Sequence, residues 1–441
     1  MKKIAIAMAL LMMIMSLVGC DSKNDKSKTE ETQKISEENK GSKDGELKPV
    51  TLTMFLHDNE AYEYYTQTNS ISEAYKKVAP HVTVQIEKAK DSGQLEETLK
   101  IRYSANELPD IMFIKPYMLA DFNEGLADLS DTNATATNLY AKNYGIEGKV
   151  AGIPQTVLYE FIYYRKSVFE ELGLNIPTTW DEFITTAETI KNNSEYIPIA
   201  LGAKDAWTDY PFNEFMPCLV AGRGDYWNVM ATQDEPFTAG EPFYDSYKKI
   251  KKLYDADVFG LDPLGIGWDQ AQALFYAKEA AMVAAGQWFI SNYASSDADP
   301  EDLGMFMLPV RDSKDEPLTA SIMGDLFLAT PKDGKNLDES KAFIDWYFSS
   351  DYYIAYSSAV GANVTTKDAD VDLPYIEEMT EALNREKLTY VLYDGGNTEF
   401  NNIVNAISFD VKRMGQEMLA GEDFDKMMSE LNEDWKKARN K

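Results

Sequence analysis

The sequence predicts an α/β protein folded as two lobes that are joined by crossing segments. About 390 residues follow a polar stretch near the start, which is more than one hydrophobic core usually supports. Apolar runs of strand length alternate with helical patterns, as is typical of parallel βαβ units. Gly148, Gly152 and Pro154 then interrupt regular structure before a strand candidate at residues 157–164. We therefore expect the first crossing between the lobes at this point.

Two helices are predicted directly after this strand. Ser167 stands three residues before Glu170, and Thr179 three before Glu182, so each pair can form a capping box. Gly173 is expected to end the first helix in a left-handed conformation. The second helix is expected to bury one face, formed by Trp180, Phe183, Ile184, Ala187 and Ile190.

The first residues predict export. Two lysines precede an apolar run at residues 4–17, which suits a secretory signal peptide over residues 1–19. Residues 17–20, Leu-Val-Gly-Cys, match a bacterial lipobox, so Cys20 is the expected lipidation site. The alternative is a cleaved soluble signal with an incidental cysteine. Because Cys218 is the only other cysteine, we expect no intramolecular disulfide.

Residues 20–49 are predicted to be a lipidated cysteine followed by a disordered tether. The segment alternates lysine with acidic residues and contains almost nothing apolar, so it cannot offset its own ordering entropy. As a flexible coil it would reach about 30 Å from the membrane. The chain has a formal net charge of −30, and loss of the two leader lysines would make it −32. Such a charge disfavours nucleic acid and acidic ligands.

Candidate ligand contacts follow two predicted strands of the first lobe. His57, Asp58 and Glu60 come directly after a strand at residues 50–56, and Tyr117 follows one at residues 111–114. Ligands in open α/β sheets bind outside the carboxyl ends of the strands. We expect these side chains at a binding cleft, with a solvated turn as the alternative for each.

Three tryptophans lie in segments rich in glycine, aspartate, asparagine and proline, and we expect loops there. They are Trp207, Trp227 and Trp268. An indole can stack on the C–H face of a sugar ring while nearby carboxylates and amides accept its hydroxyl hydrogens. The alternative is that each one fills a lobe interior. By contrast, helical periodicity predicts core positions for Trp180, Trp346 and Trp435.

Three motifs resemble the bacterial extracellular solute-binding proteins, family 1, the sugar-capturing lipoproteins of ABC importers that include maltose-binding-like proteins. The first is residues 149–183, where Tyr-Tyr-Arg-Lys ends the strand and Arg165 replaces the more usual asparagine. The second is Leu-Pro-Asp-Ile-Met-Phe-Ile at residues 108–114. The third is Lys-Glu-Ala-Ala-Met-Val-Ala-Ala-Gly-Gln-Trp at residues 278–288.

The resemblance implies a type II periplasmic-binding-protein-like fold, in which each lobe is a mainly parallel sheet flanked by helices. The expected N-terminal lobe comprises residues 50–153 and 309–358. The expected C-terminal lobe comprises residues 154–308 and 359–441. The resemblance also implies that Trp288 faces the cleft and that Asp325, in a Gly-Asp turn, accepts ligand hydroxyls. Tyr159 and Asn363, near the crossings, complete the predicted ligand-binding set.

The resemblance implies a lipid-anchored binding protein on the extracellular face of the cell membrane. It is expected to be a monomer that captures a neutral carbohydrate, by family analogy an oligosaccharide, and delivers it to ABC transporter permease subunits. No cofactor, metal, nucleic acid partner or catalytic residue is expected. An EF-hand-like start at residues 368–372 lacks the required glycine and glutamate, which disfavours calcium.

Two other function classes remain open at this stage. A secreted glycoside hydrolase also needs carboxylates and aromatic residues, but no local motif nominates an acid and a nucleophile. A binder of peptides or anions would favour clustered arginines at helix N-termini, and the seven arginines are scattered along the chain. With only two histidines present, a Ser-His-Asp triad or a histidine-rich metal site is disfavoured.

Overall fold

A computed structural model describes residues 47–369 and 371–440, and the chain from Lys48 onward folds as one unit. The predicted signal peptide, Cys20 and nearly all of the tether lie outside the described residues. No helix within the described part combines the length and apolar character needed to span a bilayer.

The strands are joined by connections that mostly contain helices. In chain order the strands are β1 (Val50–Leu56), β2 (Val82–Lys88), β3 (Ile111–Ile114), β4 (Ile153–Arg165), β5 (Ile197–Ala200), β6 (Ala280–Gly286), β7 (Leu303–Met307), β8 (Leu318–Ala329), β9 (Asn363–Val364) and β10 (Leu388–Tyr393).

The helices flank these strands. Up to β6 they are α1 (Asn59–Glu63), α2 (Ile71–Lys76), α3 (Ser92–Ser104), α4 (Pro116–Phe122), α5 (Asn133–Thr137), α6 (Lys166–Glu171), α7 (Trp180–Asn193), α8 (Tyr210–Asn213), α9 (Met216–Ala221), α10 (Tyr226–Ala231), α11 (Pro242–Asp255) and α12 (Trp268–Tyr276). After β6 they are α13 (Phe289–Ala294), α14 (Leu337–Ser349), α15 (Asp351–Ala359), α16 (Ile376–Asn384), α17 (Thr398–Ile407), α18 (Val411–Leu419) and α19 (Phe424–Arg439).

The sheet follows the order β2-β1-β3-β8-β4-β6-β5, with β10 added to β8 and both β7 and β9 added to β4. Parallel pairing joins β1 to β2, β1 to β3, β5 to β6 and β10 to β8. The long strands β4 and β8 run antiparallel to each other, and each is also antiparallel to a strand on its other side, β6 or β3. The parallel segments of the two lobes are therefore joined through an antiparallel centre.

Strands β4 and β8 both contribute to the two larger of the three hydrophobic cores among the described residues, and β8 also contributes Phe327 and Ala329 to the third. Ile153 at the start of β4 and Leu328 near the end of β8 pack with apolar side chains of β1, β3 and α14. Phe161, further along β4, and Leu318, at the start of β8, pack with the side chains of α7, α11 and β6. Each strand thus passes from one core to the other. This agrees with the expectation of two lobes, whose sequence boundaries remain a prediction.

The predicted helix after β4 forms without its predicted cap. The Ser167 hydroxyl and N–H both donate to the Asp302 carboxylate, at 2.8 and 2.6 Å, so Ser167 is not the N-cap of α6. The capping box at α7 is half correct. Thr179 caps the Glu182 N–H, but the Glu182 carboxylate accepts from Thr178 instead. The Lys314 ammonium and the two hydrogen bonds from Thr178 lower the pKa of Glu182 to about 2.

Two other local predictions, for Gly173 and for the apolar face of α7, agree with the structure. Gly173 has φ +65°, the left-handed conformation expected after α6. The five residues predicted to form the apolar face of α7 are all buried. The sequence pattern did not predict β10. This strand joins the edge of β8, where its alternating pattern is half exposed and gives a weak signal.

Arg165, the residue that departs from the family pattern, ends β4 in a buried ion pair. Its guanidinium contacts the Asp302 carboxylate at 2.8 Å and donates to the Tyr293 hydroxyl at 2.8 Å. The two charged side chains are only 3% and 7% exposed. Asp302 also accepts both hydrogen bonds from Ser167, so its four bonds offset the desolvation of the carboxylate.

Asp302→Ala should destabilise the protein by about 3–5 kcal/mol, because the Arg165 charge would stay buried without its partner. Denaturant unfolding of wild type and variant measures the difference. The matched control is Arg223→Ala, which breaks an exposed pair with Asp225 and should change stability by less than about 1 kcal/mol. Equal, small effects of both substitutions would show that the buried pair is not a structural anchor.

Candidate functional site

Three indole rings meet beside the second core. The ring centroids lie 5.3 Å apart for Trp207 and Trp268, 5.2 Å for Trp268 and Trp288, and 6.0 Å for Trp207 and Trp288. Trp207 is 39% exposed, and the other two rings are partly buried. We call Trp207, Trp268 and Trp288 the indole cluster. It presents a partly open aromatic surface of the kind that binds the apolar faces of ligands.

Close backbone packing builds the indole cluster from distant parts of the chain. Gly202 lies so close to Gly267 that a Cβ atom at Gly202 would come within 2.5 Å of its carbonyl. The Asp205 carboxylate accepts from the Trp268 N–H at 2.8 Å. These contacts bring the segment of Trp207 against the start of α12. Trp288 comes from a third part of the chain, where it follows β6 and precedes α13.

Trp227 does not belong to this surface, so its prediction as a ligand contact is corrected. Its ring is 2% exposed and packs against Phe400, with centroids 5.2 Å apart, and against Phe243 at 6.1 Å. It also lies on α10 rather than in a loop. That helix has six residues, which is too short for a helical apolar pattern to stand out in the sequence.

The predicted polar residues after β1 lie at the beginning of α1. The Asp58 carboxylate caps this helix by accepting from the Ala61 N–H at 2.7 Å. Burial raises the pKa of Asp58. Burial and the carboxylates of Asp58 and Glu63 raise the pKa of Glu60 to about 7, although the Glu60 residue keeps solvent contact. Burial and the Lys115 ammonium lower the pKa of His57 to about 4, so its imidazole is neutral at pH 7.

Asp325 on β8 forms an ion pair that sequence reasoning did not foresee. Its carboxylate oxygens lie 2.9 and 3.0 Å from the Lys115 ammonium, at the carboxyl end of β3. An ionised carboxylate has about four acceptor sites, so this pairing leaves acceptor capacity for a hydroxyl. Lys115 adds donors on a side chain that is 24% exposed. The position of Lys115 directly after the apolar strand β3 was the signal in the sequence that could have identified it.

Asn363, in β9, connects this strand to the residue that precedes the indole of Trp288. Its amide donates to the Gln287 side-chain oxygen at 2.5 Å and to the Val157 carbonyl at 3.2 Å. Gln287 is fully buried and directly precedes Trp288. In the described part of the chain, the Gln287 amide nitrogen has no hydrogen-bond partner. The sequence reading named Asn363 but missed Gln287.

The two predicted tyrosines lie apart from the indoles. The Tyr117 hydroxyl donates to Glu96 at 3.1 Å. Burial raises the pKa of Tyr117, and the carboxylates of Glu96 and Glu214 raise it further. Tyr159 packs near Tyr390, with centroids 6.0 Å apart. Successive strand residues face opposite sides of a sheet, so Tyr159 projects away from the face that carries Glu160. Neither tyrosine ring contacts the indole cluster.

A large cavity elsewhere does not coincide with this site. It has a volume of about 710 Å³ and is bounded by α4, residues 143–147, α17 and the end of α19. None of the residues predicted to bind ligand lines it. Within the described residues, no group of three or more histidine, cysteine or carboxylate side chains is arranged to hold a metal ion. The candidate site is therefore the indole cluster with its polar neighbours.

The model of the family described as bacterial extracellular solute-binding protein matches residues 59–354. The chain belongs to this family. The match begins at the first residue of α1 and ends within α15, and so includes the indole cluster and the Lys115–Asp325 pair.

Relatives of this solute-binding protein include two bacterial sugar binders. The multiple sugar-binding protein of Streptococcus mutans is 26% identical over 71% of this chain and 77% of its own length. The melibiose/raffinose/stachyose-binding protein MelE of Bacillus subtilis is 22% identical over 69% of this chain and 74% of its own.

The fold is that of type II solute-binding proteins. The solute-binding protein RafE in complex with raffinose superposes with a TM-score of 0.72 at 22% identity, covering 88% of this chain and all of that one. The apo form of RafE from Streptococcus pneumoniae gives 0.71 at 21% identity, with coverage of 90% and 99%. The expected fold class is thereby confirmed.

Proposed function

We propose that this protein captures a neutral oligosaccharide on the indole cluster and delivers it to the permease subunits of an ABC importer. The observation that carries the proposal is the convergence of three indoles within 6.0 Å of one another, with Trp288 directly after the Gln287 side chain that Asn363 binds. Flat apolar surfaces next to donors and acceptors match the two chemical faces of a pyranose ring.

The charge pattern favours an uncharged ligand. The chain has a net charge of −30, and the carboxylates of Asp58 and Asp325 both interact with Lys115. The Lys115 ammonium is already paired with Asp325. An anion would therefore approach a negatively charged protein whose Lys115 is neutralised, whereas sugar hydroxyls can donate to the carboxylates and accept from the lysine.

The relatives support the same class of solute. The Streptococcus mutans protein is named for multiple sugars, the Bacillus subtilis protein for melibiose, raffinose and stachyose, and the superposed structure holds raffinose. These three galactosides are accordingly our first candidate ligands. We further propose that the chain performs no hydrolysis, because the described indole site serves binding and the family is one of binding proteins.

Titration of the purified full chain with melibiose, raffinose and stachyose tests the sugar proposal. At least one sugar should bind, with an affinity that changes little between low and 0.5 M salt because the ligand is uncharged. Trp288→Ala should weaken that binding by about thirtyfold, equivalent to about 2 kcal/mol. Calorimetry measures the affinity, and chromatography of the same mixture should recover the sugar intact.

Trp227→Phe is the matched control, because this tryptophan is buried in the core. It should lower the midpoint of thermal unfolding and leave sugar affinity unchanged. Normal sugar binding by Trp288→Ala would contradict the proposal. So would a loss of binding that merely follows the loss of folded protein, and new reducing ends would favour the hydrolase alternative.

We propose that Cys20 carries a lipid that holds the protein on the extracellular face of the membrane. The support is the lipobox at residues 17–20 and the polar tether that follows it. Cys20→Ala should move the protein from the membrane fraction into the medium in a fractionation experiment. Cys218→Ala is the control and should leave fractionation unchanged, since that thiol is buried. A Cys20→Ala protein that still sediments with membranes after signal cleavage would contradict the anchor.

A further inference from the structure

A buried carboxyl group lies behind the indole cluster. Glu160, in the middle of β4, is 5% exposed, and its Oε2 accepts a hydrogen bond from the Tyr210 hydroxyl at 2.7 Å. Its other oxygen has no hydrogen-bond partner among the described residues. The Tyr210 hydroxyl is therefore what satisfies this carboxyl group, and each of the two side chains depends on the other to remain buried without a large desolvation penalty.

The Tyr210 hydroxyl also interacts with Trp288. Trp288 Nε1 and the Tyr210 hydroxyl oxygen flank the same backbone position, 2.6 and 2.9 Å from where a Cβ atom of Gly286 would stand. An indole N–H can only donate, and the Tyr210 hydroxyl, which donates to Glu160, keeps acceptor capacity for it. Tyr210 is itself buried, with its ring 6.5 Å from that of Trp207.

Gly286 is shaped by the same contact. A Cβ atom at this position would lie 2.6 Å from Trp288 Nε1 and 2.9 Å from the Tyr210 hydroxyl oxygen. Gly286 is a residue of β6 outside the left-handed region, so its backbone conformation does not require glycine. Glycine is needed because the two side chains approach the strand closely. The strand end, the tyrosine and the indole thus form one tight arrangement.

The protonation of Glu160 fits this arrangement. Burial raises the pKa of Glu160 well above its usual range, and the negative charges of Glu214 and Asp325 raise it further. A neutral carboxyl group has the same acceptor oxygen and nearly the same shape as a glutamine amide. Glutamine should therefore substitute for it, whereas an apolar residue should not.

We propose that Glu160 is a positioning residue that fixes the orientation of Trp288 through Tyr210. Without the Glu160 carboxyl group, the Tyr210 hydroxyl loses its acceptor. The Trp288 ring then loses its fixed neighbour, so the indole cluster becomes mobile. The consequence for sugar affinity rests on the proposed function. The orientation of the indoles does not, and can be measured with no sugar present.

Asp209 provides a matched comparison within the same lobe. It is also fully buried and neighbours a tyrosine hydroxyl, Tyr254, at 3.5 Å. Its Oδ1 likewise has no hydrogen-bond partner in the described part of the chain. Asp209 lies against Gly415 of α18 and makes no hydrogen bond to a tryptophan among the described residues. Substitution of Asp209 therefore reports what loss of any buried carboxyl group does to this lobe.

The test compares four variants of the full chain, Tyr210→Phe, Glu160→Leu, Glu160→Gln and Asp209→Asn. Near-ultraviolet circular dichroism without sugar reports the coupled indole rings, thermal unfolding reports the fold, and calorimetry reports raffinose affinity. Tyr210→Phe and Glu160→Leu should lose at least half of the tryptophan band and weaken raffinose binding about tenfold or more. Glu160→Gln should retain the wild-type band and an affinity within about threefold, and Asp209→Asn should retain both.

The outcomes separate this inference from the proposed function. If Glu160→Leu does not fold, Tyr210→Phe decides, because it removes one hydroxyl and keeps the ring. An unchanged tryptophan band in folded Tyr210→Phe overturns the positioning role, as does an equal loss in Glu160→Gln or in Asp209→Asn. If the four variants show the expected band changes but wild type binds no raffinose, melibiose or stachyose, the positioning role is supported and the proposed function is contradicted.

Discussion

The structure depends on the antiparallel pairing of β4 with β8, because these two strands are shared by both hydrophobic cores. Ile153 and Phe161 lie on the same strand yet pack into different cores. The pairing is reinforced at the crossing by Gln155, whose amide donates to the hydroxyls of Tyr65 at 2.7 Å and Tyr347 at 2.5 Å. Strands β4 and β8, of 13 and 12 residues, run without a break from one core to the other, so any relative motion of the cores must concentrate where they leave one core for the other.

The candidate site follows from this crossing. Asp325 lies on β8, Glu160 on β4 and Trp288 after β6, the strand that pairs with Glu160 through Gly286. The Lys115–Asp325 ion pair links β8 to the residue after β3. The hydrogen bond from Asn363 to Gln287 links β9 to the residue before Trp288. Residues far apart in sequence are thus collected at one place by strand pairing. A ligand bound there would contact side chains supported by both cores.

Local sequence signals predicted local structure well. Strand β1 has its predicted bounds, and α7 buries its predicted face. They did less well where a side chain finds its partner far along the chain. Ser167 looked like a helix cap by spacing, but Asp302, 135 residues later, takes both of its hydrogen bonds.

The same limit applies to the candidate ligand contacts, which remain predictions. Trp207, Trp268 and Trp288 converge in the structure, whereas Trp227 is enclosed by Phe243 and Phe400. No local pattern separates these cases, because burial depends on which helices pack over a ring. Glu160 was overlooked, although a lone carboxylate inside an aromatic strand demands a partner. Naming Tyr210 as that partner required the fold.

The central claim is that a sugar stacks on the indole cluster, and a crystal structure of the chain with bound raffinose tests it most directly. The account predicts a pyranose ring face lying on Trp207, Trp268 or Trp288, with its hydroxyls hydrogen bonded to polar neighbours such as Asp325. Raffinose bound instead in the cavity between α4 and α17, or held with no indole against a ring face, would contradict it.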